Sequence, residues 1–95
     1  MDEVVWTRRA DRNLAEIGAY IAQDDPKAAE RTVMRIEERV AGLAFYPLQG
    51  RMGRVAGTRE LVIGGTSYVA VYRVRERVEI ITIRHAAQRW PETIW

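Results

Sequence analysis

The chain has 95 residues, which suits one compact domain over residues 1–95, and its 47% hydrophobic and 29% charged residues describe a folded globule, not a disordered chain. With no cysteine and one histidine, it excludes disulfides, a cysteine nucleophile and a thiolate or multi-histidine metal site, so we expect no metal and no cofactor. The net charge of +2 is unevenly distributed along the chain. Residues 1–38 hold nine acids and six bases, whereas residues 39–95 hold four acids and nine bases. The positive charge of the second part favours nucleic acid or a carboxylate-rich protein segment as partner.

The first residues predict a strand that leads into a helix. The start, Met1-Asp2-Glu3, does not fit a signal peptide, and no apolar run approaches the roughly 20 residues that cross a bilayer, so we expect a cytoplasmic protein without membrane contact. Val4-Val5-Trp6 predicts the strand, and the Thr7 hydroxyl suits a helix cap. The helix follows from apolar residues at spacings of four, three and four, namely Ala10, Leu14, Ile17 and Ile21.

A second helix is predicted after a two-residue break. Pro26 suits the first helical position, and the pair Asp24-Asp25 before it is interpreted as a helix cap, not a metal site. The apolar face of this helix is formed by Ala29, Val33, Ile36, Val40 and Leu43, and the helix is expected to stop around Phe45-Tyr46-Pro47. Such a short break predicts an antiparallel helical hairpin that covers a sheet. The charged residues of this helix are interpreted as a solvated face: Arg31, Arg35, Glu37, Glu38 and Arg39.

The rest of the chain predicts a sheet. Residues 48–57 contain three glycines and predict a basic loop. The strands are predicted at Arg59–Ile63, Tyr68–Val74 and Val78–Ile83. We therefore expect an α+β fold in which an N-terminal strand and an antiparallel helical hairpin are followed by a three-stranded antiparallel sheet, with both helices on one face. The first strand is expected at an edge of this sheet or beside the last strand.

Alternation along the predicted strands assigns roles to four side chains. Tyr68 and Tyr72 share one face, and we interpret them as core or cross-strand residues with satisfied hydroxyls, with stacking on bases as the alternative. Glu60 is expected to neutralise Arg73 across the sheet, which is a structural role.

His85 is the one side chain that titrates near neutrality without help from its surroundings. It suits a general acid or base for cleavage by a ribose 2′-hydroxyl, with Arg84 and Arg89 stabilising charge on the phosphorus. It also suits a structural role at a strand end, where it would hold the C-terminal tail. Both roles stay open at this point.

The order and spacing of several segments resemble those of one known protein family over essentially the whole chain. They are Trp6 to Ile21, Tyr46-Pro47 followed by Gly50-Arg51, Gly57 to Val62, Tyr68 to Arg73, and His85 to Pro91. Together they resemble the RelE/ParE superfamily of small bacterial toxins from type II toxin–antitoxin modules. The resemblance implies a growth-inhibiting toxin that a paired antitoxin neutralises.

The superfamily divides by target. RelE-like members are ribosome-dependent endoribonucleases that cut messenger RNA, whereas ParE-like members are known for poisoning DNA gyrase. RelE-like enzymes tend to have a basic residue after the tyrosine of the penultimate strand, then further basic groups and a C-terminal tyrosine. Here Val69 follows Tyr68, Ala86-Ala87 stand where basic groups are expected, and the chain ends in Trp95. The resemblance therefore favours a ParE-like toxin of the plasmid-stabilisation type, without catalysis of its own.

The ParE-like interpretation implies two partners. One is DNA gyrase, and the other is a ParD-like antitoxin whose helical C-terminal segment would form a hetero-oligomer with the toxin. The candidate contact residues are Arg51, Arg54, Arg59, Arg84, Arg89 and Trp90. For Arg51, Arg54 and Arg59 a solvated loop, an acidic antitoxin and nucleic acid or gyrase all stay open.

The alternative is a ribosome-dependent ribonuclease of the RelE type. Its candidate catalytic residues are His85, Arg59, Arg73 and Arg84. In either case Trp90 and Trp95 are expected to pack on the helices or under a partner, because exposed tryptophan favours association.

Overall fold

A pair of helices lies against one face of a five-stranded sheet. The computed structural model describes residues 1–89. In chain order the elements are β1 (Val4–Trp6), α1 (Arg8–Ala22), α2 (Pro26–Ala41) with a 3₁₀ turn at Gly42–Ala44, β2 (Arg51–Met52), β3 (Arg59–Val62), β4 (Tyr68–Val74) and β5 (Val78–His85). The α+β fold and the helical hairpin predicted from the sequence are confirmed.

Both helices begin at the predicted caps. Thr7 Oγ1 accepts a hydrogen bond from the Ala10 amide at 3.1 Å. Asp25 Oδ1 accepts one from the Ala28 amide, also at 3.1 Å, and Pro26 is the first residue of α2. These oxygens satisfy amides that the start of a helix leaves without an intrahelical partner. Within residues 1–89, no helix combines the length and the apolar character needed to span a bilayer.

The strand order is β1-β5-β4-β3-β2, so the first strand lies beside the last, one of the two places predicted for it. β1 runs parallel to β5, and the other neighbours are antiparallel. The sheet is thus mixed, not purely antiparallel, and has one strand more than predicted. The extra strand is β2, which lies in the predicted loop. Two residues are too few to show an alternating pattern, and β2 exists because it pairs with β3.

The helix-facing side of the sheet carries the main core. Tyr72 is fully buried there; its hydroxyl donates to the Pro47 carbonyl at 2.8 Å and accepts from the Gly50 amide at 2.9 Å. The predicted core role of Tyr72 is therefore confirmed, and Tyr68 packs half-buried at the margin of the same cluster. Other buried members of the cluster are Ile17, Ile36, Val40, Leu43, Leu61, Ile63, Ala70, Val78, Ile80 and Ile83. Full burial of a large apolar side chain stabilises a fold by about 1.5–3 kcal/mol.

A bulge in β5 creates a second, smaller apolar cluster on the side of the sheet opposite the helices, which we call the open face. The pairing of β4 with β5 shifts beside Val71, and Ile81 is the extra residue. Ile81 packs with Val71 and with Val55, which comes from the loop between β2 and β3. This loop therefore covers part of the open face.

The start of α1 is fixed to the bulge. The Thr7 hydroxyl donates to the Ile80 carbonyl at 2.8 Å, and Asn13 Oδ1 accepts from the Ile83 amide at 3.0 Å. Both contacts join residues about 70 positions apart in the chain. They hold the first two turns of α1 against β5.

Candidate binding surface

Glu60 is a buried carboxylate that holds the loop between β2 and β3 on the open face. Its side chain is 1% exposed. One carboxylate oxygen accepts from the Arg51 guanidinium at 2.9 Å, and the other accepts from the Arg54 amide at 2.8 Å, with the Arg54 guanidinium 3.8 Å away. The strand β2 makes this possible because it places Arg51 directly opposite Glu60. A buried charge is tolerated only when it is paired in this way.

The predicted pairing of Glu60 with Arg73 is wrong. Arg73 instead forms a close ion pair with Glu79, which lies opposite it on β5, and Arg77 adds a second contact to Glu79 at 3.5 Å. The cause is strand register. Sequence alternation indicates which face a side chain occupies, but it does not indicate which residue lies opposite.

The same loop is closed by contacts between its two ends. The Gly53 amide donates to the Thr58 carbonyl at 2.8 Å, and the buried Thr58 hydroxyl donates to the Val55 carbonyl at 2.6 Å. A Cβ atom at position 53 would lie 2.1 Å from Thr58 Oγ1, so the loop requires glycine there. The basic loop is therefore an ordered platform for its arginines.

Arg84 lies on the open face among other positive charges. Its Nη2 donates to the Arg89 carbonyl at 2.6 Å. Burial lowers the pKa of Arg84 from its usual value, and the charges of Arg9 and Arg54 lower it further. Partial desolvation and like-charge repulsion both disfavour the charged guanidinium.

We define the Arg84 surface as Arg9, Arg51, Arg54, Arg84 and Arg89. Four of the six predicted contact residues belong to it, because Glu60 links Arg51 to Arg54, the charge of Arg54 acts on Arg84, and Arg84 bonds Arg89. The predicted Trp90 lies outside the described residues. The structure thus places the loop arginines and the end of β5 on one surface.

The remaining predicted residue, Arg59, does not belong to this surface. It lies opposite Tyr72, whose side chain faces the helices. Its Nη1 donates to the Gly50 carbonyl at 2.9 Å and to the Leu48 carbonyl at 3.3 Å. Arg59 therefore has a structural contact with the segment that leads into β2.

Arg9 was missed by sequence reasoning. It lies on α1, about 75 positions before Arg84, and no local pattern distinguishes it from its neighbours Arg8 and Arg12. Its charge acts on Arg84. The pairing of β1 with β5 and the bond from Thr7 to the bulge bring the start of α1 beside β5. No sequence signal short of the full topology would have identified it.

His85 lies at the end of β5 in contact with Tyr68. Their rings meet edge to face, with centroids 5.4 Å apart and planes at 84°. His85 Nδ1 accepts from the Ala87 amide at 3.1 Å. Both rings line an open groove of about 410 Å³ beside α1, where burial and the neighbouring Tyr20 raise the pKa of Tyr68. These contacts match the structural role considered for His85.

The four candidate ribonuclease residues do not converge in the described chain. Alternation along the paired strands puts His85 on the helix-facing side, with Tyr68, and puts Arg73 and Arg84 on the open face. Arg73 lies five residues after Tyr68 on β4, and Tyr68 is opposite His85, so Arg73 is about 17 Å along the sheet from His85. Arg59, opposite Tyr72, is about 13 Å along the sheet from His85.

Comparison with protein families gives one match over nearly the whole chain. The sequence model of the family described as the ParE toxin of the type II toxin–antitoxin system parDE matches residues 4–90. Among individual proteins, the chain is 53% identical over 89 residues to a Sinorhizobium fredii protein named "Putative toxin Y4kP", covering 94% of this chain and 93% of that protein. It is 41% identical over 88 residues to Toxin RelE2 of Caulobacter vibrioides, covering 93% and 99%.

Solved structures give the same fold. The chain is similar to one from the chromosomal ParDE toxin–antitoxin system of Pseudomonas aeruginosa, with a TM-score of 0.80, 29% identity and coverage of 90% of this chain and 96% of that one. It is also similar to one from the toxin–antitoxin complex RelBE2 of Mycobacterium tuberculosis, with a TM-score of 0.62, 25% identity and coverage of 92% and 93%.

Proposed function

The chain belongs to the ParE toxin family of type II toxin–antitoxin systems, and from that membership we propose that it stops growth by binding DNA gyrase through the Arg84 surface. In this proposal the toxin acts by docking and performs no catalysis. The observation that carries the proposal is the distribution of titratable and basic groups over the two faces of the sheet. His85 faces the helices, whereas Arg51, Arg54 and Arg84 lie on the open face.

The chemistry of the Arg84 surface supports docking onto an acidic macromolecule. Its arginines come from three parts of the chain that are far apart in sequence. Glu60 holds the Arg51 guanidinium and the Arg54 backbone, and the bond from Thr7 to the bulge holds the start of α1. Preformed arginines lose little side-chain freedom when they bind carboxylate or phosphate. A partner with matching acidic groups therefore gains specificity and a faster association rate.

The test is a supercoiling assay with purified toxin and gyrase. We expect supercoiling to fall as toxin is added, and we expect Arg84→Gln to require several-fold more toxin for the same inhibition. Arg75→Gln removes one charge from the exposed β4–β5 turn and is the matched control. Undiminished supercoiling at a large excess of toxin would overturn the gyrase proposal.

We further propose that a ParD-like antitoxin neutralises the chain in a hetero-oligomer. The support comes from the ParDE and RelBE2 systems to which the two similar structures belong. The antitoxin would cover the Arg84 surface with a helical, partly acidic C-terminal segment, since acidic side chains pair with clustered arginines. Co-expression with the product of the neighbouring reading frame should recover a complex, and failure to recover one would remove this partner.

A ribosome-dependent ribonuclease is the second candidate function. It is favoured by the 41% identity to Toxin RelE2 and by the similarity to the RelBE2 complex. Primer extension on translated messages separates the two functions. New cuts in the ribosomal A site that disappear in His85→Ala would reverse the order of the proposals.

A further inference from the structure

Three basic residues form a row along α2. Lys27, Arg31 and Arg35 are each four residues apart, and all three are exposed. At 1.5 Å per residue the row covers about 12 Å, and each step turns by about 40° around the helix. We call these three residues the α2 row. It belongs to the helical layer, on the other side of the sheet from Arg51, Arg54 and Arg84.

The α2 row forms no ion pair within the described part of the chain. No carboxylate of residues 1–89 lies within ion-pair distance of its three side chains, although Glu30 follows Lys27 by three residues and Glu38 follows Arg35 by three. Like charges four residues apart on a helix repel one another. An external anion would therefore pair with these side chains without displacing an internal ion pair.

A cleft lies beside the row and holds one of its arginines in position. Arg31 and Arg35 line a cleft of about 350 Å³ between α2 and the turn that joins β3 to β4, together with Thr32 and Thr66. The Arg35 Nε donates to the Gly64 carbonyl at 2.9 Å. This bond orients the guanidinium at the cleft and leaves its terminal amino groups available to a ligand. An oriented guanidinium loses less conformational freedom when it binds.

We propose that the α2 row binds the phosphodiester backbone of double-stranded nucleic acid, independently of base sequence. Each strand of a duplex carries one phosphate per 3.4 Å of helix axis, so a row of about 12 Å spans the length over which about three phosphates of one strand succeed one another. Regular spacing of positive charge fits a repeating polyanion better than it fits the scattered carboxylates of a protein segment. The residues that line the cleft include no aromatic side chain, so stacking on single-stranded bases has no support there.

The test is fluorescence anisotropy of a labelled 20-base-pair duplex of arbitrary sequence with the full chain, between about 50 and 300 mM salt. Each phosphate contact contributes about −0.9 to the slope of log K against log salt. We expect the variant Lys27→Gln/Arg31→Gln/Arg35→Gln to lose about 2–3 units of slope and to bind at least tenfold more weakly near 0.1 M salt. Its melting temperature should fall by only a few degrees, because the three side chains are exposed and the one hydrogen bond described for them, from Arg35 to the Gly64 carbonyl, is at the surface.

The matched control is Arg8→Gln/Arg12→Gln/Arg75→Gln, which removes the same charge from exposed positions elsewhere. Retention of the slope and affinity in this control supports the proposal, and an equal loss in both variants overturns it in favour of net charge. Absence of duplex binding at 50 mM salt also overturns it. A labelled polyglutamate of similar charge that binds as tightly as the duplex, and is lost in the α2 row variant, would assign the row to an acidic protein segment instead.

Discussion

Glu60 shows how one side chain can organise a surface. Its carboxylate is buried, yet its partners Arg51 and Arg54 are about half exposed, so the ion pair joins the interior of the sheet to the solvent. Glu60 therefore holds the arginines of the loop from the interior side, while the other side of each arginine is exposed to solvent. Removing the negative charge should affect both the stability of the fold and the position of these arginines.

We expect Glu60→Gln to lower the free energy of unfolding by about 1–3 kcal/mol, because an amide weakens the bonds to Arg51 and to the Arg54 amide without changing the side-chain volume. Urea denaturation monitored by circular dichroism measures the change. Glu76→Gln, on the exposed β4–β5 turn, is the control and should shift the free energy by less than about 0.5 kcal/mol. If the two variants lower the free energy of unfolding equally, then the ion pair formed by Glu60 does not stabilise the fold.

Glu79 gives a residue-level prediction for pH. The hydrogen bond from Arg73 lowers the pKa of Glu79, and the charges of Arg77 and Arg75 lower it further. A folded-state pKa below the unfolded value stabilises the fold above the unfolded pKa, near 4, and this stabilisation is lost as pH falls through the lower, folded-state pKa. Wild type should therefore be more stable than Glu79→Gln at pH 7, and the difference should vanish in strong acid. A difference that persists near pH 2 would contradict the assignment.

Among the elements, the start of α1 combines two functions in one side chain. Thr7 caps the helix and also bonds the β5 bulge, so the cap fixes the helix to the sheet. The helix caps were predictable because their signals, Thr7 and Asp25-Pro26, lie within three residues of what they stabilise. The strand β2 was not predictable, because its two residues are ordered by β3 and carry no pattern of their own.

We expect Thr7→Ala to destabilise the protein by about 1–2 kcal/mol, since it removes both the cap and the bond to the Ile80 carbonyl. Thr7→Ser keeps the hydroxyl and should recover most of the loss. Thermal denaturation of the two variants makes the comparison. If serine and alanine are equally destabilising, then the threonine methyl group, and not the hydroxyl, stabilises this junction.

At the scale of the whole molecule, the first and the last strand of the described residues are paired with each other. β1 pairs with β5, and the Val78 amide donates to the Glu3 carbonyl at 2.9 Å. The sequence alone could group those candidate residues that are near one another in the chain, namely Arg51 with Arg54 and Arg84 with Arg89. The contribution of Arg9 and the separation of His85 from Arg73 could not, because both depend on which strands are neighbours and which face each residue occupies.

We expect removal of residues 1–7 to abolish cooperative unfolding, because it deletes the edge strand and the α1 cap together. Removal of Met1 and Asp2 alone loses the bond from the Asp2 amide to the Ala44 carbonyl and should leave a cooperative transition. Calorimetry of the two truncated chains is the measurement. A sharp transition in the longer truncation would show that β1 is dispensable.

The parallel pairing of β1 with β5 also has a consequence for synthesis. Translation proceeds from the N-terminus at about 5–20 residues per second, so β1 and α1 emerge first and wait for β5, the last strand of the described chain. The start of α1 can lie beside β5 only after β5 has left the ribosome. The Arg84 surface therefore forms only after β5 has been synthesised, and a shorter nascent chain does not yet carry it.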